Sequence, residues 1–95
     1  MKENYKVIKV HPSDNVIVAL EDIPSGATVV YENQIYKIVD DIAAKHKFYQ
    51  SNMGVGDSVT MYGVLVGKVQ EAVSIGMRMT TTNLHHAAEP YSFRP

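Results

Sequence analysis

A seven-residue pattern, apolar-x-x-Gly-x-x-apolar, recurs along the chain and strongly restricts how it can fold. It occupies 23–29, 53–59 and 73–79, and a further copy at 42–48 carries Lys45 in place of the glycine. Glycine readily adopts the left-handed backbone conformation that reverses a chain. Asp22, Asp41 and Asn52 precede three of the copies, and these residue types cap a helical turn. We therefore predict four sharp corners, each a short helical turn that leads into a strand.

Lys45 admits two interpretations. A residue other than glycine held in the left-handed conformation costs about 1–3 kcal/mol and tends to persist where function requires it. Alternatively, this copy turns differently and leaves Lys45 unstrained, which is the interpretation that the sequence alone favours. His46 and Lys47 follow directly, so the exceptional corner also carries side chains that could bind a ligand.

The aliphatic residues favour strands. Val and Ile total 20, whereas Leu occurs three times, and β-branched side chains suit a pleated surface. No window shows the sustained apolar periodicity of a helix. Glu32 and Asn33 form a two-residue connection that is typical of a hairpin. The predicted strands are 5–10, 15–20, 28–31, 34–39, 58–62, 64–69 and 77–82, which indicate a small, mainly β, barrel-like or clip-like single domain.

Length and charge exclude several classes of protein. A chain of 95 residues has room for one domain, and its nine Lys/Arg are interleaved with ten Asp/Glu, which argues against a nucleic-acid partner. No apolar stretch approaches the roughly 20 residues of a membrane span, and no apolar region follows the polar N-terminus, so we expect neither a membrane partner nor a secretory signal. The absence of cysteine fits a cytoplasmic protein. The edge strands of a small β domain leave a homo-oligomer possible.

Polar side chains near two corners are candidates for binding. His46 can act as a ligand or base, although an exposed surface histidine is the simpler interpretation. The polar run 80–83 can bind a polyhydroxy substrate or a phosphate, or form a solvated edge strand. His85 and His86 are adjacent and point to opposite faces of an extended chain, so at most one joins a site from a strand. No nucleotide-binding, paired-carboxylate or nucleophile motif occurs, and these residues alone do not make a self-sufficient active site.

Four motifs follow one another along nearly the whole chain. They are His11-Pro12-x-Asp14-Asn15-Val16-x-Val18-Ala19-Leu20, the corner with His46-Lys47-Phe48, Tyr62-Gly63-x-x-Val66-Gly67, and Gly76-x-x-x-x-x-x-Asn83. In this order they resemble the N-terminal SAF domain of the altronate dehydratase family, which also includes galactarate dehydratase and a two-chain sulfolactate sulfo-lyase. The resemblance implies a β-clip domain over 1–90, with 91–95 as the start of a linker or tail.

The resemblance also implies a function. In the family, this domain accompanies a much larger catalytic subunit or domain, which eliminates water from a sugar acid with the help of a divalent metal, iron or manganese. Altronate would give 2-keto-3-deoxygluconate. The present chain would then supply a wall or lid of the active site and be inactive by itself. A rival interpretation is a stand-alone SAF binding or assembly module without catalytic activity.

The matching positions give the expected site residues. His46, Lys47 and Asn83 match the family pattern and are expected to contact the sugar acid. Thr80 and Thr82 occupy positions where many relatives have histidine, and they are expected to contact substrate rather than metal. The resemblance leaves three weaker candidates for a metal ligand, namely His46, His85 and His86.

Overall fold

The computed structural model of the protein describes residues 4–86, which fold into eight short strands and no helix. The prediction of a mainly β single domain is confirmed. No helix within 4–86 is long and apolar enough to cross a membrane. The predicted tail at 91–95 lies outside the described residues. The strands are β1 (Val7–Ile8), β2 (Val16–Ala19), β3 (Thr28–Tyr31), β4 (Gln34–Lys37), β5 (Lys47–Tyr49), β6 (Ser58–Met61), β7 (Val64–Val69) and β8 (Leu84–His86).

All strand pairs are antiparallel. In the first sheet, β2 lies between β1 and β5, with Ile17 opposite Phe48. β3 and β4 form a hairpin, and β6, β7 and β8 form the third sheet. Phe48 also bridges Arg78, and the N–H of Met79 donates to the Lys47 carbonyl at 2.9 Å. The segment 77–79 therefore extends the first sheet on the far side of β5.

The chain makes the same turn–hairpin–turn unit twice. Gly26 and Gly56 occupy equivalent corners. Each donates its N–H at 2.8 Å to a carbonyl at the end of its own hairpin, that of Ile38 just after β4 and that of Val69, the last residue of β7. The second unit is longer by one residue because the β6–β7 ladder contains a bulge between Val59 and Thr60. The corner pattern seen in the sequence is thus part of a larger repeat. The bridges that close the two units are Ile23–Ile42 and Met53–Val73.

Each unit packs around its own hydrophobic cluster, and β5 belongs to both. Because side chains alternate along a strand, Phe48 enters the first cluster and Tyr49 enters the second, and both are fully buried. The first cluster contains Ile17, Ala19, Ile23, Val29, Tyr36, Ile38, Ile42 and Phe48, and the second contains Val16, Tyr49, Met53, Val59, Met61, Val66, Val69, Val73 and Leu84.

The four corners are four-residue β-turns, not the short helical turns that the sequence predicts. In each, the N–H of the fourth residue donates to the carbonyl of the first at 2.9–3.1 Å. The third residue has a positive φ, which is 89° at Gly26, 75° at Lys45, 92° at Gly56 and 86° at Gly76. A φ near +80° belongs to the third position of a type II turn, which normally requires glycine.

The residues that cap the corners act across each bridged pair. Asp22 Oδ1 accepts the N–H of Ala44 at 2.8 Å, and Asp41 Oδ1 accepts the N–H of Ser25 at 2.8 Å. The sequence predicts that Asp41 caps the corner that follows it, but it caps the partner corner instead. The bridge brings the two corners together, so each carboxylate reaches its neighbour's amide.

Several strand predictions need correction. The strands at 28–31 and 64–69 are confirmed at both ends, and those at 5–10, 15–20, 34–39 and 58–62 are present but shorter. Glu32 and Asn33 have φ values of 49° and 65°, which confirms the predicted hairpin turn. The predicted strand at 77–82 is wrong, since only its first part pairs with β5 before a turn begins at Thr80. The strands β5 and β8 are not among the predicted ones.

Lys45 adopts the strained conformation, so the expectation that its corner turns differently is wrong. Its φ of 75° lies in the same region as those of the three corner glycines. Its side chain is exposed, which explains how a residue larger than glycine fits. The strain persists directly before His46, the residue that the sequence singles out for binding.

The variant Lys45→Gly should be more stable than the natural chain by about 0.5–1 kcal/mol. It removes left-handed strain of about 1–2 kcal/mol, part of which is offset by the greater entropy of glycine in the unfolded chain. Urea unfolding followed by circular dichroism measures the change. As a control, Lys68→Gly, on β7 and without a positive φ, should lower stability. A loss of stability in Lys45→Gly would show that the backbone there is not strained.

Candidate functional site

The first motif of the sequence forms a clamp on the β6–β7 turn. Asp14 is 3% exposed, and its Oδ2 accepts the N–H groups of His11 and Tyr62, each at 3.0 Å. Its Oδ1 accepts the N–H of Gly63 at 2.9 Å. The imidazole of His11 lies against Gly63, so closely that a Cβ there would be 2.9 Å from the ring. Two motifs that are distant in sequence therefore meet for a structural reason.

His46 and Lys47 lie where the Lys45 corner enters β5. The His46 carbonyl accepts the N–H of Ala19 at 2.8 Å, which pairs it with β2. The imidazole is exposed and Lys47 is half-buried. Because side chains alternate along a strand, His46 lies on the face of Phe48, and Lys47 lies on the opposite face. The structure brings the two candidates to one strand end but directs them to different sides.

Asn83 closes the end of the first sheet. It is 6% exposed, and its Nδ2 donates to the Arg78 carbonyl at 2.9 Å. Its Oδ1 accepts the Thr80 N–H at 3.0 Å and the Tyr49 hydroxyl at 2.8 Å. Burial raises the pKa of Tyr49 to about 12, so this hydroxyl remains protonated and donates at neutral pH. These bonds give Asn83 a structural role, and its contact with substrate stays a prediction.

The two threonine candidates differ in their surroundings. The Thr80 hydroxyl oxygen accepts the N–H groups of Thr82 and Asn83, each at 3.2 Å, and so holds the turn at 80–83. Thr82 is exposed, and its carbonyl accepts the Gln70 amide at 2.6 Å. Substrate binding by these hydroxyls stays a prediction, with Thr82 the more accessible of the two.

The histidine candidates for a metal are spread over two sheets. His85 and His86 lie on β8, opposite Lys68 and Gly67 of β7, whereas His46 adjoins β5. In the part of the chain that the structure describes, no three His, Cys, Asp or Glu side chains are arranged to hold a metal ion. These residues do not form a metal centre by themselves. A metal-ligand role for any of the three in a larger assembly stays a prediction.

A groove of about 390 Å³ lies over the bridged corners of the first unit. Its charged lining residues are Asp22, Asp41 and Arg78. Arg78 Nη1 donates to the Asp41 carbonyl at 3.3 Å. Arg78 pairs with Phe48, so it lies on the same face of the sheet as His46. The groove and the exposed imidazole therefore share one side of the molecule.

Sequence reasoning missed Arg78. A signal was available, because alignment of the corner copies 42–48 and 73–79 places Arg78 at the position of Lys47. Each cation follows the left-handed residue of its corner by two positions. Both corners thus present a cation from the strand that they introduce.

Comparison with known proteins identifies the family of the chain. Residues 5–87 match the family model of the altronate/galactarate dehydratase SAF domain. The chain is 34% identical over 92 residues to altronate dehydratases from Escherichia coli (strain K12) and Bacillus subtilis (strain 168), and each alignment covers 93% of this chain. It spans 18% of the length of either relative. The chain belongs to the altronate/galactarate dehydratase SAF domain family.

Proposed function

We propose that the chain acts as the SAF part of a sugar-acid dehydratase and forms a wall or lid over the active site of a larger catalytic part. The observation that carries this proposal is how much of this chain, and how little of each relative, the sequence match covers. The match takes in nearly the whole chain but only 18% of each altronate dehydratase. The remaining length in those relatives is room for a larger catalytic part.

The reaction proposed is the loss of water from altronate or a related acid, which gives 2-keto-3-deoxygluconate in the altronate case. Such an elimination removes the proton next to the carboxylate and expels hydroxide from the neighbouring carbon, so it needs a base and a group that assists the leaving oxygen. An exposed imidazole at a strand end is suited to contact substrate from the wall of a cleft. His46 therefore carries the main proposed contact, whereas Lys47, on the other face of β5, is a secondary proposed contact.

The compartment and partners follow from the same proposal. A sugar-acid dehydratase that uses this chain works in the cytoplasm, with a large catalytic subunit or domain as the partner. A divalent metal, iron or manganese, stays a prediction for the complete enzyme.

Reconstitution tests whether the chain belongs to a dehydratase. The tagged chain is used to capture partners from a lysate of cells grown on sugar acids, and any large subunit that is recovered is assayed with and without the chain. We expect altronate, galactarate or a related acid to be dehydrated only when both parts are present. A partner that is fully active alone, or no dehydratase partner at all, would favour the stand-alone module.

In the complete enzyme, His46→Ala should lower kcat/KM at least tenfold. The variant removes an exposed side chain, so folding should not change. Lys68→Ala serves as the control, because it removes an exposed side chain from a different sheet, and it should leave the activity within about twofold of the natural enzyme. Unchanged kcat and KM in His46→Ala would remove this residue from the site.

A further inference from the structure

We propose that the groove over the first pair of corners is a binding site for a sugar acid, in which Arg78 binds the carboxylate and Asp22 and Asp41 accept hydrogen bonds from the hydroxyl groups. The class of ligand rests on the proposed function. The location of the site is inferred from the lining and size of the groove.

Arg78 supplies a suitable partner for a carboxylate. A guanidinium has five N–H donors in a planar fork. Among the contacts within residues 4–86, Arg78 uses only Nη1, in a long 3.3 Å bond to the Asp41 carbonyl. The Arg78 backbone is held in place, because its N–H donates to Asp40 Oδ2 at 2.9 Å. A fixed backbone and an exposed guanidinium allow a bidentate contact with a carboxylate, which is among the stronger polar contacts in proteins.

The two carboxylates are positioned by the fold. Asp22 and Asp41 each use Oδ1 to cap the partner corner, which fixes the orientation of the carboxylate in the groove wall. A carboxylate has acceptor capacity on both oxygens, so each retains sites for a hydroxyl. Two fixed acceptors and one cation complement a ligand that carries several hydroxyls and one negative charge.

The floor and size of the groove also suit a small polyhydroxy acid. Pocket sites for small molecules typically have about 300–1,000 Å³, apolar walls and a few polar groups. This groove has about 390 Å³ and apolar walls from Ile23, Pro24, Ile42 and Ala43. The carbon backbone of a six-carbon acid can lie on such a surface while its polar groups reach the walls.

The second unit of the chain provides an internal comparison. Its bridged corners have Asn52 and Ala72 where the first unit has Asp22 and Asp41. Asn52 still caps its partner, since its Oδ1 accepts the Ile75 N–H at 2.9 Å. The corner fold therefore does not require a carboxylate at either position. The negative charge of the two acids in the first unit is therefore more than capping requires, which is consistent with a role in binding.

The groove is placed to serve the proposed reaction. The backbone N–H of His46 donates to the Ala43 carbonyl at 2.9 Å, and Ala43 is part of the groove wall. His46 and Arg78 lie on the same face of the sheet. A sugar acid held by its carboxylate in the groove would therefore reach toward the His46 end of β5.

NMR titration of the ¹⁵N-labelled 95-residue chain, which follows the chemical shifts of its backbone amides, tests the site directly. Altronate and galactarate are added, and galactitol and acetate serve as probes that each lack one part of the ligand. We expect saturable shifts of the Ile23, Ala43 and Arg78 amides with altronate, and weaker binding of galactarate, whose second carboxylate would be repelled by the two acids of the groove. Arg78→Gln should raise Kd at least tenfold, whereas Lys68→Gln, which removes an exposed cation on β7, should leave Kd within twofold.

Three results would overturn the proposal. They are equal shifts with galactitol, binding that is unchanged in Arg78→Gln, and no groove shifts at about 10 mM altronate, which would be about 90% saturating for a Kd of about 1 mM. The test is independent of the enzyme assay. Loss of activity in His46→Ala without groove binding would reject this site and keep the proposed function. Groove binding without any dehydratase activity would keep this site and reject the proposed function.

Discussion

The variant Gly76→Ala should lose about 3–4 kcal/mol of folding free energy, and its melting temperature should fall by about 15 °C or more. Gly76 has a φ of 86°, which already disfavours any other residue. A Cβ at this position would also overlap the Lys37 carbonyl oxygen and approach Ile38 Cα to 3.1 Å. These are backbone atoms at the end of β4 and just after it, so the first hairpin would have to move away from the corner of the second unit.

Gly26→Ala is the matched control for this experiment. Gly26 has nearly the same φ, 89°, but no atom of the described residues 4–86 lies within 4 Å of the position that a Cβ would take there. It should therefore lose only the conformational term, about 1 kcal/mol. Thermal and urea unfolding of both variants separate the cost of the positive φ from the cost of the steric overlap of the Cβ. Equal losses of folding free energy in the two variants would mean that the close contact between Gly76 and β4 does not constrain how the two units pack together.

The corners could be predicted from the sequence because their cause is local. A left-handed residue in a tight turn is normally a glycine, and the recurrence of the seven-residue pattern, with glycine in three of its four copies, predicts four turns at the correct places. Lys45 could not be predicted in the same way. Whether a lysine accepts that strain depends on the open space around it, and this is set by how distant segments pack.

The strand β5 shows a second limit of the sequence. Its three residues, Lys47–Tyr49, are too few for a visible alternation of apolar and polar side chains. It is specified by partners on both sides, β2 and the segment 77–79. Long-range pairing of this kind leaves almost no local signal, so the sequence indicates only the end of a corner there.

Asn83 shows why motif matches do not by themselves assign roles. It stands in a polar run, and the sequence therefore suggests an exposed binding residue. Asn83 accepts a hydrogen bond from the hydroxyl of Tyr49, which is 34 residues away in the sequence. Only the folded chain reveals that contact. His46, whose imidazole is exposed, remains available to a ligand, whereas Asn83 is occupied by the fold.

The variant Asp14→Asn should be destabilised by about 3–4 kcal/mol. The buried carboxylate accepts three backbone N–H groups, from His11, Tyr62 and Gly63. An amide replaces one acceptor oxygen by an NH₂ group, which cannot accept and which faces at least one of these donors. A hydrogen bond to a charged group contributes about 1.5–3 kcal/mol, and a buried donor without an acceptor costs about 1–3 kcal/mol.

The strain in the β6–β7 turn adds to this loss. Tyr62 has a φ of 58° and Gly63 a φ of 79°, and a bulky residue such as tyrosine is unfavourable in that region. The Asp14 carboxylate holds both N–H groups of this turn, so it offsets the strain at Tyr62. Removal of the acceptor should loosen the turn and the β6–β7 hairpin with it.

Asp57→Asn provides the control for the Asp14 variant. Asp57 is exposed and accepts one N–H, that of Gly54, at 2.8 Å within its own turn. Asparagine caps such a turn nearly as well as aspartate, so the loss should be under about 0.5 kcal/mol. Amide hydrogen exchange of Tyr62 and Gly63 should accelerate in Asp14→Asn and stay slow in Asp57→Asn. Retained protection of these two amides in Asp14→Asn would mean that the carboxylate does not hold the turn, and the first motif would then need an explanation other than this clamp.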